Sequence, residues 1–200
     1  DHALAAWYEH ELKSLGVEIH LSTEVDESTV STSDADTVII ATGSKPKIFP
    51  LGSAPVYPAA DILLGAQKAG EHVAIALWLR EMGKEVTIVE ALPKILAVNG
   101  PLCHANSEML EALVPFKGIH TITSAKAKDY DGKELVVETE DGDKTVKADT
   151  VVLAVGYAPE NALYEQLKNK IPEIYQLGDS RNVANIMYAI WDAYEVASHI

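Results

Sequence analysis

Hydrophobic and polar residues along this chain fall into short periodic blocks punctuated by glycine and proline. Leu4, Trp7, Tyr8, Leu12 and Leu15 recur at helical spacing, and Gly16 supplies a stop. Val17-Glu18-Ile19-His20-Leu21 then alternates with a period of two, which predicts a strand. The same order returns later. Met109, Leu110, Leu113 and Val114 predict a helix stopped near Pro115 and Gly118, with a strand over Ile119 to Ile122. His72 to Ala76 reads as a strand, Leu77 to Met82 as a helix closed by Gly83, and Glu85 to Val89 as a strand. Glu134 to Thr139 and Lys144 to Lys147 flank Asp141-Gly142, a hairpin signal.

An internal repeat organises these blocks. Ala35 to Pro46 (ADTVIIATGSKP) aligns without a gap onto Ala148 to Pro159 (ADTVVLAVGYAP), 113 residues further on. Nine of the twelve positions are identical or exchange one aliphatic for another. In each copy an Asp opens a run of β-branched and aliphatic residues, which predicts a strand buried on both faces. A small residue and a Gly follow, where the backbone approaches something closely or turns sharply. A Pro then prevents the strand from continuing. Each copy is therefore the second half of a nucleotide-binding α/β unit.

Composition sets limits on function. Two hundred residues with 48% hydrophobic and 23% charged are those of an ordinary globular protein. A formal charge of −14 argues against nucleic acid and against an anionic membrane surface. No apolar run approaches the roughly 20 residues that span a bilayer. Cys103 is the only cysteine, so no intrachain disulfide can form; a reducing, cytoplasmic compartment is expected. Cys103-His104 has no second ligand pair at metal spacing, so Cys103 is read as structural and no metal site is expected. Trp7, Tyr8, Trp78 and Trp191 fall at helical positions and are read as core. Tyr157, just past Gly156, is a weaker cofactor candidate.

The order of these pieces resembles the two-dinucleotide-binding-domain flavoproteins, in which an NAD(P) domain is inserted into an FAD domain. Ala41-Thr42-Gly43 resembles the segment at which that family crosses from one domain to the other, and Ala154 to Tyr157, with Gly156, the return crossover. Ile174 to Asp179 resembles the late strand whose Gly178-Asp179 approaches FAD. The helix after it carries Val183, Ile186, Met187, Ile190, Tyr194 and Ala197 on one face. More narrowly, the chain is similar to the C-terminal part of Old Yellow Enzyme-like NADH:flavin oxidoreductases of the 2,4-dienoyl-CoA and enoate reductase type.

The resemblance implies an α/β fold of two Rossmann-like three-layer units. Residues 1–50 and 151–200 would form the FAD-type unit and 51–150 the inserted NAD-type unit. It also implies hydride transfer from NAD(P)H to FAD and onward to a reductase domain. Gly178 would let the chain approach FAD, and Asp179 would accept a hydrogen bond from a ribityl hydroxyl. Asn185 and Ile186 would present a helix N-terminus to the flavin ring edge. Glu90, ending the Glu85 to Val89 strand, would receive the adenosine ribose hydroxyls and repel a 2′-phosphate, favouring NADH over NADPH.

Two parts of the pattern are missing. No Gly-x-Gly-x-x-Gly occurs, although the family uses one for each pyrophosphate. The FAD-side copy is expected before Asp1. The NAD-side copy is expected after Ala76, where only residues 77–84 precede Glu85, too few for a comfortable loop, helix and return. FMN, an iron–sulfur cluster and a barrel domain with the enoate or enoyl site would belong to a full-length parent. The alternatives are a non-catalytic nucleotide-binding or interaction module that has lost its phosphate loops, and a stand-alone NADH:acceptor reductase.

Overall fold

The computed structural model of the chain describes residues 2–63, 72–74, 77–96 and 104–200. In order these form α1 (His2–Ser14), α2 (Glu27–Ser31), β1 (Val38–Ile40), β2 (Ser44–Pro46), β3 (Tyr57–Pro58) and α3 (Ala59–Leu63). Then come β4 (His72–Ala74), α4 (Leu77–Glu81), β5 (Glu85–Val89), α5 (His104–Phe116) and β6 (His120–Ile122). A run of strands follows: β7 (Lys126–Tyr130), β8 (Glu134–Thr139), β9 (Gly142–Lys147), β10 (Thr150–Leu153) and β11 (Tyr157–Pro159). The chain closes with α6 (Ala162–Leu167), β12 (Ile174–Gln176), a 3-10 turn (Gly178–Ser180) and α7 (Ile186–Ala197). These residues divide into two compact units, Asp1–Gly43 with Pro159–Ile200, and Ser44–Ala158.

The divisions lie at 43/44 and 158/159 rather than at the expected 50/51 and 150/151. Strand pairing decides the difference. β10 is hydrogen-bonded between β3 and β4, so it belongs to the Ser44–Ala158 unit. The chain passes between units through β2 and β11, which pair with each other.

The Ser44–Ala158 unit is built on a parallel sheet in the order β3-β10-β4-β5-β6. Thr150, Val151, Val152 and Leu153 are all buried, as a strand covered on both faces requires. One cluster packs Ile62, Leu79, Val86, Val114, Ile119 and Val152. A second packs Leu51, Ala125, Tyr130, Leu135, Val137, Ala148, Val151 and Leu153 beneath the antiparallel sheet β7-β8-β9. Each fully buried aliphatic side chain contributes about 1.5–3 kcal/mol. The Asp141-Gly142 hairpin forms with Thr139 opposite Gly142. β4 and β5 are parallel although only residues 75–84 join them, so the crossover is closed with a five-residue α4.

Helix ends follow local rules. After α1, Gly16 N–H donates to Lys13 O and Val17 N–H to Leu12 O, and Gly16 has φ +74°. The same pair of bonds ends α4 at Gly83 and α5 at Gly118. The sequence predicts Pro115 as part of the α5 stop, but it lies inside the last turn and the left-handed Gly118 makes the stop. Arg80 Nε donates to Lys117 O at 2.8 Å and ties the two stops together.

The other unit is thinner. β1 pairs in parallel with β12, and Ile40, Leu167, Gly178, Ser180 and Val196 are buried. Ile39 is 42% exposed, so β1 is not covered on both faces as its composition predicts. The predicted strand Val17 to Leu21 has no strand partner among the described residues and is not a strand. Alternation sets a side chain's face, but a strand also needs a neighbour for its N–H and C=O groups. Trp7, Tyr8, Trp78 and Trp191 are exposed rather than core, Trp7 at 53%. A two-stranded sheet offers too little surface to cover α1 and α7. Trp7 instead makes an edge contact with Tyr8, and Trp191 with Tyr188.

Candidate functional site

The order of the five-stranded sheet creates a crevice. From β4 the sheet continues to β5 on one side and to β10 on the other, so connections diverge at this strand. In open parallel sheets ligands bind beyond the carboxyl ends of strands at such a reversal. A cleft of about 580 Å³ lies there, walled by Ile88, Val89, Glu90 and Ala91 from the end of β5 and by Val151 to Val155 from β10. Phe49, Ala125 to Ala127 and Leu135 complete it.

Glu90 is half-buried on this wall. Its N–H donates to Ile122 O at 2.9 Å, and its carbonyl accepts from Ala125 N at 3.0 Å. Its Oε1 accepts from Leu92 N at 2.9 Å. Leu92 O in turn accepts from Ser124 N at 2.9 Å. The carboxylate is therefore fixed at a strand end, in a mainly apolar cleft, ready to accept hydroxyl hydrogen bonds. That fits the adenosine end of a dinucleotide. Ile75 and Ala76, just ahead of the expected phosphate loop, lie outside the described residues, as do Cys103 and the other residues of 97–103.

The second candidate site is the turn after β12. Leu177 N donates to Ile40 O at 3.1 Å, and Ser180 Oγ donates to Ile40 O at 3.0 Å and to Leu177 O at 2.8 Å. Gly178 takes φ +60°, and a Cβ there would stand 3.5 Å from Ala189 Cβ, so the close approach at this glycine is to α7. Asp179 Oδ1 accepts from Ala184 N at 3.1 Å. Asn185 caps α7, its Oδ1 accepting from Tyr188 N at 3.2 Å, and Ile186 begins the helix 79% exposed. A cavity of about 120 Å³ is lined by Gly178, Asp179, Arg181, Asn182, Ala184, Tyr188, Ala189 and Asp192. An acid, a left-handed glycine and a capped helix N-terminus fit the ribityl and ring-edge side of a flavin.

The crossover residues are used for turning. Gly43 and Gly156 take φ +75° and +85°, and an added Cβ would meet nothing within 4 Å at either. Thr42 Oγ1 donates to Glu160 O, Glu160 N to Gly43 O, and Lys47 N to Gly156 O. Ala41 precedes this link, and Tyr157 is exposed at the start of β11.

The row Val183, Ile186, Met187, Ile190, Tyr194 and Ala197 is not the packed face of the last helix: Tyr194 is 77% exposed, and Val183 precedes α7. Ala189, Asp192 and Val196 face inward instead. Asp192 was not foreseen as a site residue. Its signal was that it is the one charged residue among the first nine of α7. Among the described residues no group of three His, Cys, Asp or Glu side chains could hold a metal, and no helix is long and apolar enough to cross a membrane.

Similarity to known proteins agrees with this geometry. The chain is 42% identical over 211 residues to a cinnamate reductase of Clostridium sporogenes, covering 100% of this chain and 32% of that protein. An NADH oxidase of Thermoanaerobacter brockii is 30% identical over 97% of this chain and 32% of its own length. A solved 2-naphthoyl-CoA reductase, in complex with 2-naphthoyl-CoA, superposes with a TM-score of 0.85 at 28% identity, over 97% of this chain and 31% of that one. The chain thus spans about a third of the length of these relatives. Its residues 26–193 match the pyridine nucleotide-disulphide oxidoreductase family, and the chain belongs to that family.

Proposed function

We propose that this chain is the nucleotide-binding portion of an NADH-dependent flavin reductase. The observation that carries the reading is Glu90, fixed at the end of β5 on the wall of the switch-point cleft. The Ser44–Ala158 unit is the NAD-type unit, inserted in an FAD-type unit formed by the flanking segments. Glu90 accepts the adenosine ribose hydroxyls and, as an anion, disfavours a 2′-phosphate, so NADH is preferred over NADPH. Asp179 accepts a ribityl hydroxyl, and the first turn of α7 at Asn185 and Ile186 offers amides to the flavin ring edge. When bound, the two cofactors supply the hydride chemistry, and this chain supplies binding and orientation. In the parent protein, electrons pass to a barrel-type reductase domain with FMN and an iron–sulfur cluster, acting on an enoate or enoyl substrate. The similarity to a cinnamate reductase supports that substrate class.

A second reading is favoured by one observation. The match to the cinnamate reductase extends over 211 residues against the 200 of this chain, and the β4–β5 crossover is only residues 75–84. A chain shortened at this crossover would be a non-catalytic module without a pyrophosphate cradle.

Calorimetric titration with NADH, NADPH and FAD tests both. The reductase reading expects NADH to bind more tightly than NADPH. Glu90→Gln should weaken NADH about tenfold through loss of charged hydrogen bonds. Absence of binding by any of the three nucleotides supports the module.

A further inference from the structure

Gly178 and Asp192 come together across 14 residues of sequence: the Gly178 N–H donates to Asp192 Oδ2 at 3.1 Å. The other carboxylate oxygen, Oδ1, stands 3.1 Å from Arg181 Nη2. Gly178 O in turn accepts from the N–H groups of Arg181 and Asn182, both at 3.0 Å. One carboxylate therefore holds the first residue of the turn and the side chain just after it, with Asp179 between them. Its side chain is 23% exposed, whereas most of the surrounding helix is apolar and open. An acid in a helix as apolar as α7 has a cost of desolvation that only such partners offset.

We propose that Asp192 is a positioning residue for the flavin. It clamps Gly178 and Arg181 so that Asp179 and the start of α7 are held in one arrangement before the cofactor arrives. This role rests on the reading of the Asp1–Gly43 and Pro159–Ile200 unit as FAD-binding. Asp179 accepts from Ala184 N, and Ser180 anchors the turn to Ile40, so the clamp adds a hold on Gly178 and Arg181 to these bonds. Loss of the clamp leaves the chemistry of Asp179 intact and loosens its placement, which weakens binding through the ordering that FAD must then impose.

The test uses the chain with FAD as probe, in wild type, Asp192→Asn and Asp192→Ala. FAD affinity is read by quenching of flavin fluorescence, and backbone amide exchange is followed without FAD. Asp192→Ala is expected to speed exchange at Gly178 and Ala184 and to weaken FAD about tenfold, the cost of ordering the turn on binding. Exchange in the paired strands β1 and β12, which belong to the same unit as Asp192, should stay unchanged, which shows that the variant is folded. Asp192→Asn, whose amide oxygen can still accept from Gly178, should fall between the two. If Asp192→Ala binds FAD within about twofold of wild type, this role is wrong while the FAD reading stands. If wild type itself binds no FAD, the FAD reading fails and this role falls with it. If Asp192→Ala weakens FAD but leaves exchange at Gly178 unchanged, the clamp is not the cause and the proposal is overturned.

Discussion

The backbone N–H of Glu160 donates to the carbonyl of Gly43 over 2.9 Å, joining the two points at which the chain leaves and re-enters its discontinuous unit. Thr42 reinforces the link by donating from Oγ1 to Glu160 O. Gly43 takes a φ of +75° at this link, a region that an L side chain resists.

Gly43→Ala should therefore destabilise through backbone strain alone, since an added Cβ meets no neighbour. The cost expected is about 1–2 kcal/mol. Gly43→Asn should cost less, because Asn tolerates the left-handed region better. Urea denaturation of both variants checks this, and equal losses would contradict strain as the cause.

Gly52→Ala should be considerably worse than Gly43→Ala. Gly52 also has φ +67°, but a Cβ there would stand 2.3 Å from Asp129 Oδ1, 2.4 Å from Tyr130 O and 2.5 Å from Tyr130 N. Backbone atoms cannot move aside as a side-chain tip can. Thermal unfolding with β-sheet circular dichroism should show the larger loss at Gly52, and the Ser53 and Ala54 bonds to Tyr130 O should open.

Leu167 and Ile186 offer a paired test of which surfaces pack. Leu167 is fully buried, so Leu167→Ala should cost roughly 2–5 kcal/mol. Ile186 is among the most exposed residues of α7, so Ile186→Ala should stay within about 0.5 kcal/mol. A loss at Ile186 comparable to that at Leu167 would show that the apolar row of α7 is covered in solution.

Asp26 should titrate well below an ordinary aspartate. As N-cap of α2, its Oδ1 accepts from Thr29 N at 2.8 Å, Thr29 Oγ1 at 2.7 Å and Ser28 Oγ at 3.0 Å. Hydrogen bonding from Thr29, backbone first, holds the carboxyl at about 2 against an ordinary 3.8. With the folded value depressed, the cap's contribution is present above the unfolded value and disappears as pH falls through about 2. The Thr29 amide resonance should follow that midpoint. A midpoint near 3.8 would refute the cap.

The sequence by itself determined whatever depends on neighbours a few positions away. The β5 strand from Glu85 to Val89, the β8–β9 hairpin around Asp141-Gly142, and the glycine stops at Gly16, Gly83 and Gly118 were all legible, because period and left-handed φ are local properties. The repeat was legible too: Val38 to Ile40 and Val151 to Leu153 are both strands, followed by left-handed Gly43 and Gly156. Of the candidate site, the position of Glu90 at a strand end could be read from the Glu85 to Val89 pattern, whereas the Gly178-Asp179 pair was marked by the family resemblance. Asp192 could not, because its meaning lies in Gly178 and Arg181, which only folding brings to it. Tertiary structure also decided against a strand at Val17 to Leu21, and gave β10 to the parallel sheet at β4. It turned Ala189, Asp192 and Val196 of α7 inward rather than the more apolar row. Periodicity says which residues share a face. Hydrogen-bond partners and covering layers, which come from distant residues, decide which face is buried and which extended segment becomes a strand.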